Sequence, residues 1–349
     1  MRVCMMNDNF YRSSGAAIAI KRITEAVEGV EYCVAACKSD GRLEDLSWVP
    51  DGRFDRFDLK SPNPILVIRE LRRFKRWYVQ QRCDLVHCHH RRISVLLQLA
   101  RVPVLYTGHL AFQYATWFRW LHPRKMTAVS RSVATNILET TGREVLGCID
   151  NPLQFPNDPP QIDVNKVRNR AVCIARLEPV KGHTHLLAAW KLLRERGYRY
   201  ELDLVGEGSL RFKLESQVKI DGLQEMVHFL GFTGDVQNLI ANSLFAILVS
   251  EVEGKPLVAL EGAAMGRPTL LTAVPGSIDI LQPGGKLTNG IEYGNVEALA
   301  RAIEEWFQNP REVVREGERA FNFLKASSDP STITREYKEV YKRVLAGYA

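Results

Sequence analysis

Short apolar runs of β type alternate with amphipathic runs along the chain, and one proline-rich stretch interrupts the rhythm. Before it, strands are predicted at Val3–Met6, Tyr32–Ala36, Asp84–His89, Val102–Tyr106 and Met126–Val129. Helical patterns such as Ala16–Val27 and Ile65–Val79 lie between them. From Asn151 to Asn165 the chain contains N-P-L-Q-F-P-N-D-P-P-Q-I-D. Four prolines in nine residues remove backbone donors and fix φ, so an interdomain linker is predicted. The alternation resumes with Ala171–Ala175, Tyr200–Val205, Val227–Leu230, Leu244–Val249 and Thr269–Thr272. Repeated βα units with continuously apolar strands predict parallel sheets covered on both faces. The expectation is an α/β fold: two doubly wound halves joined by a hinge, with domains at 1–150 and 169–330, a linker at 151–168 and a C-terminal helix in 331–349.

Composition agrees with two ordinary domains: 349 residues, 46% hydrophobic and 25% charged. No apolar run approaches the ~18 residues of a membrane span. The opening M-R-V-C-M-M-N-D has no apolar h-region, so export is not expected. The net charge of +7 is uneven: residues 1–165 carry 23 Lys and Arg against 17 Asp and Glu, the remainder 24 against 23. A basic first half suits nucleic acid, anionic lipid or a phosphorylated small molecule. Seven cysteines, at 4, 33, 37, 83, 88, 148 and 173, match neither a metal spacing nor a disulfide framework. Buried thiols in a reducing cytoplasm are expected, with Cys33 and Cys37 in the core.

In doubly wound sheets ligands bind where strands end and helix N-termini gather. After Leu244–Val249 the chain reads S-E-V-E-G-K-P-L-V-A-L-E-G-A-A-M-G-R-P. Pro256 suits a first helical turn, Gly254 a tight turn before it, and Gly266 with Pro268 a helix end. Glu253 is then expected at the helix mouth and Glu261 about two turns inside, with the unpaired N–H groups of the first turn between them. A carboxylate on each side of an anion site suits a nucleotide sugar; the plainer reading is a capping Glu and a solvated Glu. After Ala171–Ala175 comes A-R-L-E-P-V-K-G-H, where Arg176 and Lys181 precede a helix beginning near His183. Two cations there form a diphosphate clamp, a task that Mg²⁺ often serves.

Together these motifs resemble the retaining GT-B glycosyltransferases of family 4 type. The resemblance rests on R-x-x-x-x-K-G at Arg176–Gly182, V-G-E-G at Val205–Gly208, H-F-L-G-F at His228–Phe232 and S-x-x-E-G-x-P-L-V-x-L-E at Ser250–Glu261. The first half matches through D-L-V-H-C-H at Asp84–His89, T-G-H at Thr107–His109, V-S at Val129–Ser130 and I-D-N-P at Ile149–Pro152. The resemblance implies two Rossmann-like domains facing a cleft, the first on the acceptor side and the second binding the nucleotide sugar. It also implies a C-terminal helix, roughly Thr332–Leu345, returning to the first domain. Arg176 and Lys181 would hold the donor diphosphate, Glu261 the ribose and Glu253 the transferred sugar. His109 would reach the sugar near its anomeric centre. Gly254, Lys255, Pro256 and Leu257 would form the helix-mouth loop, and Gly206, Phe229 and Gly231 would lie on the base side. Where the family has a Gly-Gly pair after its first strand this chain has Ser14-Gly15, leaving Gly15 as the candidate for close backbone approach. Lys255 stands where an apolar residue is usual and hints at an acidic donor or acceptor. The reaction implied is retaining transfer to a glycan or lipid-linked hydroxyl, in lipopolysaccharide, capsule or glycolipid synthesis, with no cofactor and no metal.

His87, Cys88, His89 and His90 invite a zinc reading, but no second ligand pair stands nearby; a polar strand-end cluster facing the cleft is expected, with His89 the acceptor-side candidate. The run Arg69–Tyr78 places Val67, Leu71, Phe74 and Tyr78 near one helix face and Arg69, Arg72, Arg73 and Arg76 on others. It reads either as a packed helix with a solvated basic side or as a dock for an anionic membrane. Trp117, Phe118 and Trp120, followed by Arg124 and Lys125, form a second aromatic-basic patch. The expected location is the cytoplasm, with attachment to the inner face of its membrane as the sharper alternative. The competing functions are a sugar-nucleotide epimerase or hydrolase of similar fold and a non-enzymic binder of anionic ligands. No nucleic-acid module is visible.

Overall fold

The computed structural model describes residues 1–11, 14–37, 46–110, 122–153, 155–280, 290–327 and 330–347. The chain divides into two compact units, Met1–Pro152 with Ser328–Ala349, and Leu153–Ser327. In the first, β1 (Arg2–Asn7), β2 (Glu31–Cys37), β3 (Phe54–Phe57), β4 (Leu85–Cys88), β5 (Val104–Gly108) and β6 (Met126–Ala128) form one sheet. Its order is β3-β2-β1-β4-β5-β6, and every pairing is parallel. The second unit carries β7 (Arg170–Ile174), β8 (Glu201–Val205), β9 (Val227–Gly231), β10 (Phe245–Leu248) and β11 (Thr269–Leu271). Their order is β11-β10-β7-β8-β9, again all parallel. Both are Rossmann-like α/β units.

The strands differ in detail from the expectation. β5 starts at Val104 rather than Val102, because Pro103 has no N–H for the ladder; its carbonyl still accepts from Val86 N–H. β4 leaves Asp84 outside, where its carboxylate accepts from the N–H of Arg2 at 2.8 Å. β3 was not foreseen. Its F-D-R-F sequence puts two charges mid-strand, which is tolerated because β3 is the sheet edge.

Alternation along β1 sorts the first core. Val3 and Met5 face Ile20, Ile23, Tyr337 and Tyr341, while Cys4 and Met6 face Phe57, Phe74 and Trp77. Helix Gly15–Ala26 supports the first face, and helix Pro330–Ala346 seals it with Ile333, Tyr337, Val340, Tyr341 and Val344. Helix Pro64–Gln80 covers the other face, starting at Pro64 with Asn63 Oδ1 accepting from two backbone N–H groups. Phe74 and Trp77 are its buried aromatics, and half-buried Leu71 and Tyr78 pack beside them as expected; Trp77 joins that face unforeseen. In the second unit, Ala171, Cys173, Phe245 and Ile247 pack on Trp190 and Trp306, and Val172, Ala246 and Leu248 pack on Val258 and Ala259. Among the described residues no helix is long and apolar enough to cross a membrane.

Candidate active site

In the second sheet the strand order reverses between β7 and β10. In open α/β sheets the carboxyl ends of strands at such a reversal are where ligands bind. Gly182 closes the β7 loop with φ +66°, and an added Cβ would strike the carbonyl oxygen of Val249. The N–H of Glu251 donates to the carbonyl of Val180 at 2.8 Å. The loops are therefore joined backbone to backbone, and this brings Lys181 Nζ to 2.5 Å from Glu253 Oε1. Their side chains are 19% and 8% exposed, so each supplies the charge partner the other needs away from bulk water. From the far side, Gly276 packs so closely on the Glu253 and Gly254 carbonyls that a Cβ would not fit. Thr272 Oγ1 donates to the carbonyl of Ser250 at 2.6 Å.

The β8 loop packs on the β7 loop in the same way. Gly206, at φ +138°, and Gly208 lie against the carbonyls of Ala175 and Leu177 with no room for a Cβ. Leu177 N–H donates to Glu207, and Ser209 donates to the Glu178 carboxylate through its N–H (3.1 Å) and hydroxyl (2.7 Å). Gly206 N–H donates to Gly231 at 2.8 Å, and the Arg211 guanidinium lies 5.0 Å from the centre of the Phe229 ring. Gly206, Phe229 and Gly231 thus share the β8–β9 end, and Arg176, exposed, shares the β7 loop with Lys181. Glu253, Gly254, Lys255, Pro256 and Leu257 form the β10 loop and helix mouth. The helix itself is Leu257–Ala264, with Pro256 as its cap, so Glu261 stands little more than one turn inside it rather than two. His183 opens the helix after the β7 loop; burial, then the nearby Lys181 charge, pushes its pKa down to about 4.

In the first unit, Gly15 is the first residue of its helix, exposed and outside the left-handed region. Ser14 caps that helix by accepting from Ala17 N–H, which is what the Ser in place of Gly achieves. One histidine corrects the strand-end reading. His87 is wholly buried, its Nε2 2.6 Å from Thr107 Oγ1 and its Nδ1 3.0 Å from the Tyr341 hydroxyl. Thr107 Oγ1 in turn lies 2.7 Å from Thr127 Oγ1. Burial pushes the His87 pKa down to about 3; this is a core histidine. His89 Nδ1 and His109 Nε2 are 2.6 Å apart, at the ends of β4 and β5. One ring donates and the other accepts. Burial brings His109 down to about 4, and burial with its histidine neighbours holds His89 well below the usual range. The buried Nε2 of His89 has no hydrogen-bond partner among the described residues. Among these residues, no three His, Cys, Asp or Glu side chains are grouped to hold a metal.

The Tyr341 and Gly276 contacts escaped the sequence reading. Tyr341 gave no local signal; Gly276 stands in V-P-G-S, a visible helix start whose partner lies in another loop. The aromatic patch of Trp117, Phe118 and Trp120 lies outside the described residues.

Two parallel-sheet Rossmann-like units, with charged and glycine-rich loops gathered at the strands' carboxyl ends, share their fold with GT-B glycosyltransferases. The family model described as glycosyl transferases group 1 matches residues 154–323, and that described as glycosyltransferase family 4 matches residues 15–151. Together the two matches span most of the chain and support a GT-B glycosyltransferase of family 4 type. An uncharacterized glycosyltransferase of Haemophilus influenzae is 27% identical over 43% of this chain and 43% of its own length. The chain thus spans about half the length of the first curated relatives it matches. The MMP alpha-(1->4)-mannosyltransferase of Mycolicibacterium hassiacum is 26% identical over 75% of this chain and 72% of its own. The crystal structure of Anabaena Alr3699/HepE in complex with UDP-glucose aligns with a TM-score of 0.79 at 18% identity, covering 98% of this chain and 99% of that one.

Proposed function

We propose that the protein is a retaining glycosyltransferase that moves a sugar from a nucleoside diphosphate sugar to a hydroxyl of a glycan or lipid-linked acceptor. The observation that carries this reading is the Lys181–Glu253 pair at the β7–β10 switch point, flanked by exposed Arg176 and held by glycines that let the loops pack backbone to backbone. In the proposed mode Arg176 and Lys181 face the diphosphate, Glu261 the ribose and Glu253 the sugar. As the bond from the anomeric carbon to the β-phosphate oxygen breaks, its electron pair stays on phosphate, where the cations stabilise the growing charge. The acceptor oxygen bonds to the same face, and the departing phosphate takes its proton. Glu253, held by Lys181, orients the sugar rather than attacking it. His109, kept neutral, offers a hydrogen bond to the sugar, and the unsatisfied Nε2 of His89 suits an acceptor hydroxyl. With two cations at the diphosphate, turnover is proposed to need no divalent metal. The test is a panel of nucleoside diphosphate sugars with chelator present, reading donor turnover and the anomeric configuration of the product. Turnover of no donor, or an inverted product, would overturn the reading. The setting proposed is lipopolysaccharide, capsule or glycolipid assembly.

The outer face of helix Pro64–Gln80 favours a membrane-bound acceptor. Ile65 (78% exposed) and Val79 (71%) stand at its two ends, with Ile68, Arg69, Arg72 and Arg76 between them on the same exposed stripe. Arg73 does not belong to it: it pairs with Asp55 at 2.9 Å and lies over the Phe57 ring. We propose that this stripe rests on an anionic bilayer. Vesicles with anionic lipid should bind the protein and lose it with salt or with Arg72→Glu/Arg76→Glu; equal binding to neutral vesicles would refute the dock.

A further inference from the structure

Cys4 on β1 and Cys33 on β2 are register partners, and Cys83 stands just before β4, the strand on the other side of β1. These are the amino ends of the strands, away from the ends that carry His89 and His109. The turn that delivers Cys83 after helix Pro64–Gln80 places Arg82 at φ +53°, a left-handed conformation that glycine more often supplies. It brings Cys83 Sγ to 2.9 Å from Cys33 Sγ, within about 0.9 Å of the ~2.05 Å of a formed disulfide. Cys33 and Cys4 are buried, whereas Cys83 is half-exposed.

We propose that Cys33 and Cys83 form an oxidative modification site, converted by a peroxide to a reversible intramolecular disulfide. Cys83 is the attacking sulfur, being the one solvent reaches. Hydrogen bonds from Cys33 and Cys4, then the nearby Arg2 charge, bring its thiol down to about 4, the thiolate form that attacks peroxides. The thiolate takes one peroxide oxygen, the O–O bond breaks and hydroxide leaves, making a sulfenic acid. The Cys33 thiol then attacks the Cys83 sulfur; the S–O bond breaks and water departs with the Cys33 proton. In sum, two thiols and one hydrogen peroxide give one disulfide and two waters. The bond would fasten the end of helix Pro64–Gln80 to the sheet.

The experiment uses the full chain with exposed Cys148 replaced by Ser, reduced, freed of reductant and treated with hydrogen peroxide. The expected result is an intact mass lighter by two hydrogens, a non-reduced digest joining the Cys33 and Cys83 peptides, and a higher thermal midpoint, all reversed by dithiothreitol. Cys83→Ser should abolish all three, and Cys33→Ala should leave an alkylatable sulfenic acid at Cys83; should the buried variant not fold, Cys83→Ser decides. Mass gain by oxygen without a crosslink, or a crosslink that survives in Cys83→Ser, would overturn the assignment.

Discussion

Glu253 and Glu261 belong to one loop and helix but meet different surroundings. Glu253 is buried against Lys181, while Glu261 lies half-buried a turn inside the helix. On the proposed mode, Glu261 holds ribose equally before and during reaction, so Glu261→Ala should weaken nucleoside diphosphate binding by about tenfold or more. Glu253 acts on the sugar as its bond breaks, so Glu253→Ala should lower kcat by about 100-fold and leave nucleotide affinity nearly intact. Calorimetry beside saturation kinetics separates the two; the opposite pattern would reverse the donor's direction along the helix. The buried histidines make a second prediction. His87 and His183 have folded pKa values of about 3 and about 4, below the ~6.5 of the unfolded chain. The unfolded state therefore binds more protons, and stability falls as pH drops below ~6.5 until the folded values are reached. Each group contributes about 1.4 kcal/mol per pH unit in that interval. The urea midpoint should be clearly lower at pH 5 than at pH 7; equal midpoints would mean these rings charge without unfolding.

At the scale of elements, loops touching through backbone set the position of charged side chains. Gly182→Ala would require a Cβ where the Val249 carbonyl lies, at a φ that L side chains rarely adopt. It should cost about 1–3 kcal/mol and, by parting the β7 and β10 loops, lower turnover as well. A variant with unchanged melting and unchanged kcat would show that the loops are not coupled in this way. Helix Pro330–Ala346 is a second element whose loss is measurable. Tyr341→Phe keeps the ring and removes the hydroxyl beside His87, for an expected cost of about 1 kcal/mol; Tyr341→Ala should cost about 3–5 kcal/mol through the cavity it leaves. Denaturant curves for the pair distinguish the polar contact from packing.

At the scale of the molecule, Arg176, Lys181, Glu253 and Glu261 belong to the unit Leu153–Ser327, and His109 to the other. On the proposed mode the donor is held by the unit Leu153–Ser327, so saturating nucleoside diphosphate should raise that unit's thermal midpoint. Calorimetry with and without the nucleotide measures this. Identical midpoints in both states would count against a donor site there.

Much of the fold was legible in the sequence, because period-two burial and continuous apolar runs record how each strand is covered. The R-x-x-x-x-K-G and E-G-x-P motifs were legible too, since glycine and proline mark turns by their own covalent limits. β3 was not, because an edge strand carries charges that a central strand could not. The direct pairing of Lys181 with Glu253 was beyond reach as well. It depends on β7 and β10 being neighbours with a reversal of strand order between them, a relation of topology. Likewise the burial of His87 was decided by Tyr341 on a helix from the far end of the chain, and the meeting of Cys33 with Cys83 by strand order and a single left-handed turn. Local chemistry named the residues; only tertiary packing decided which of them touch, because such contacts join residues that no period or spacing relates.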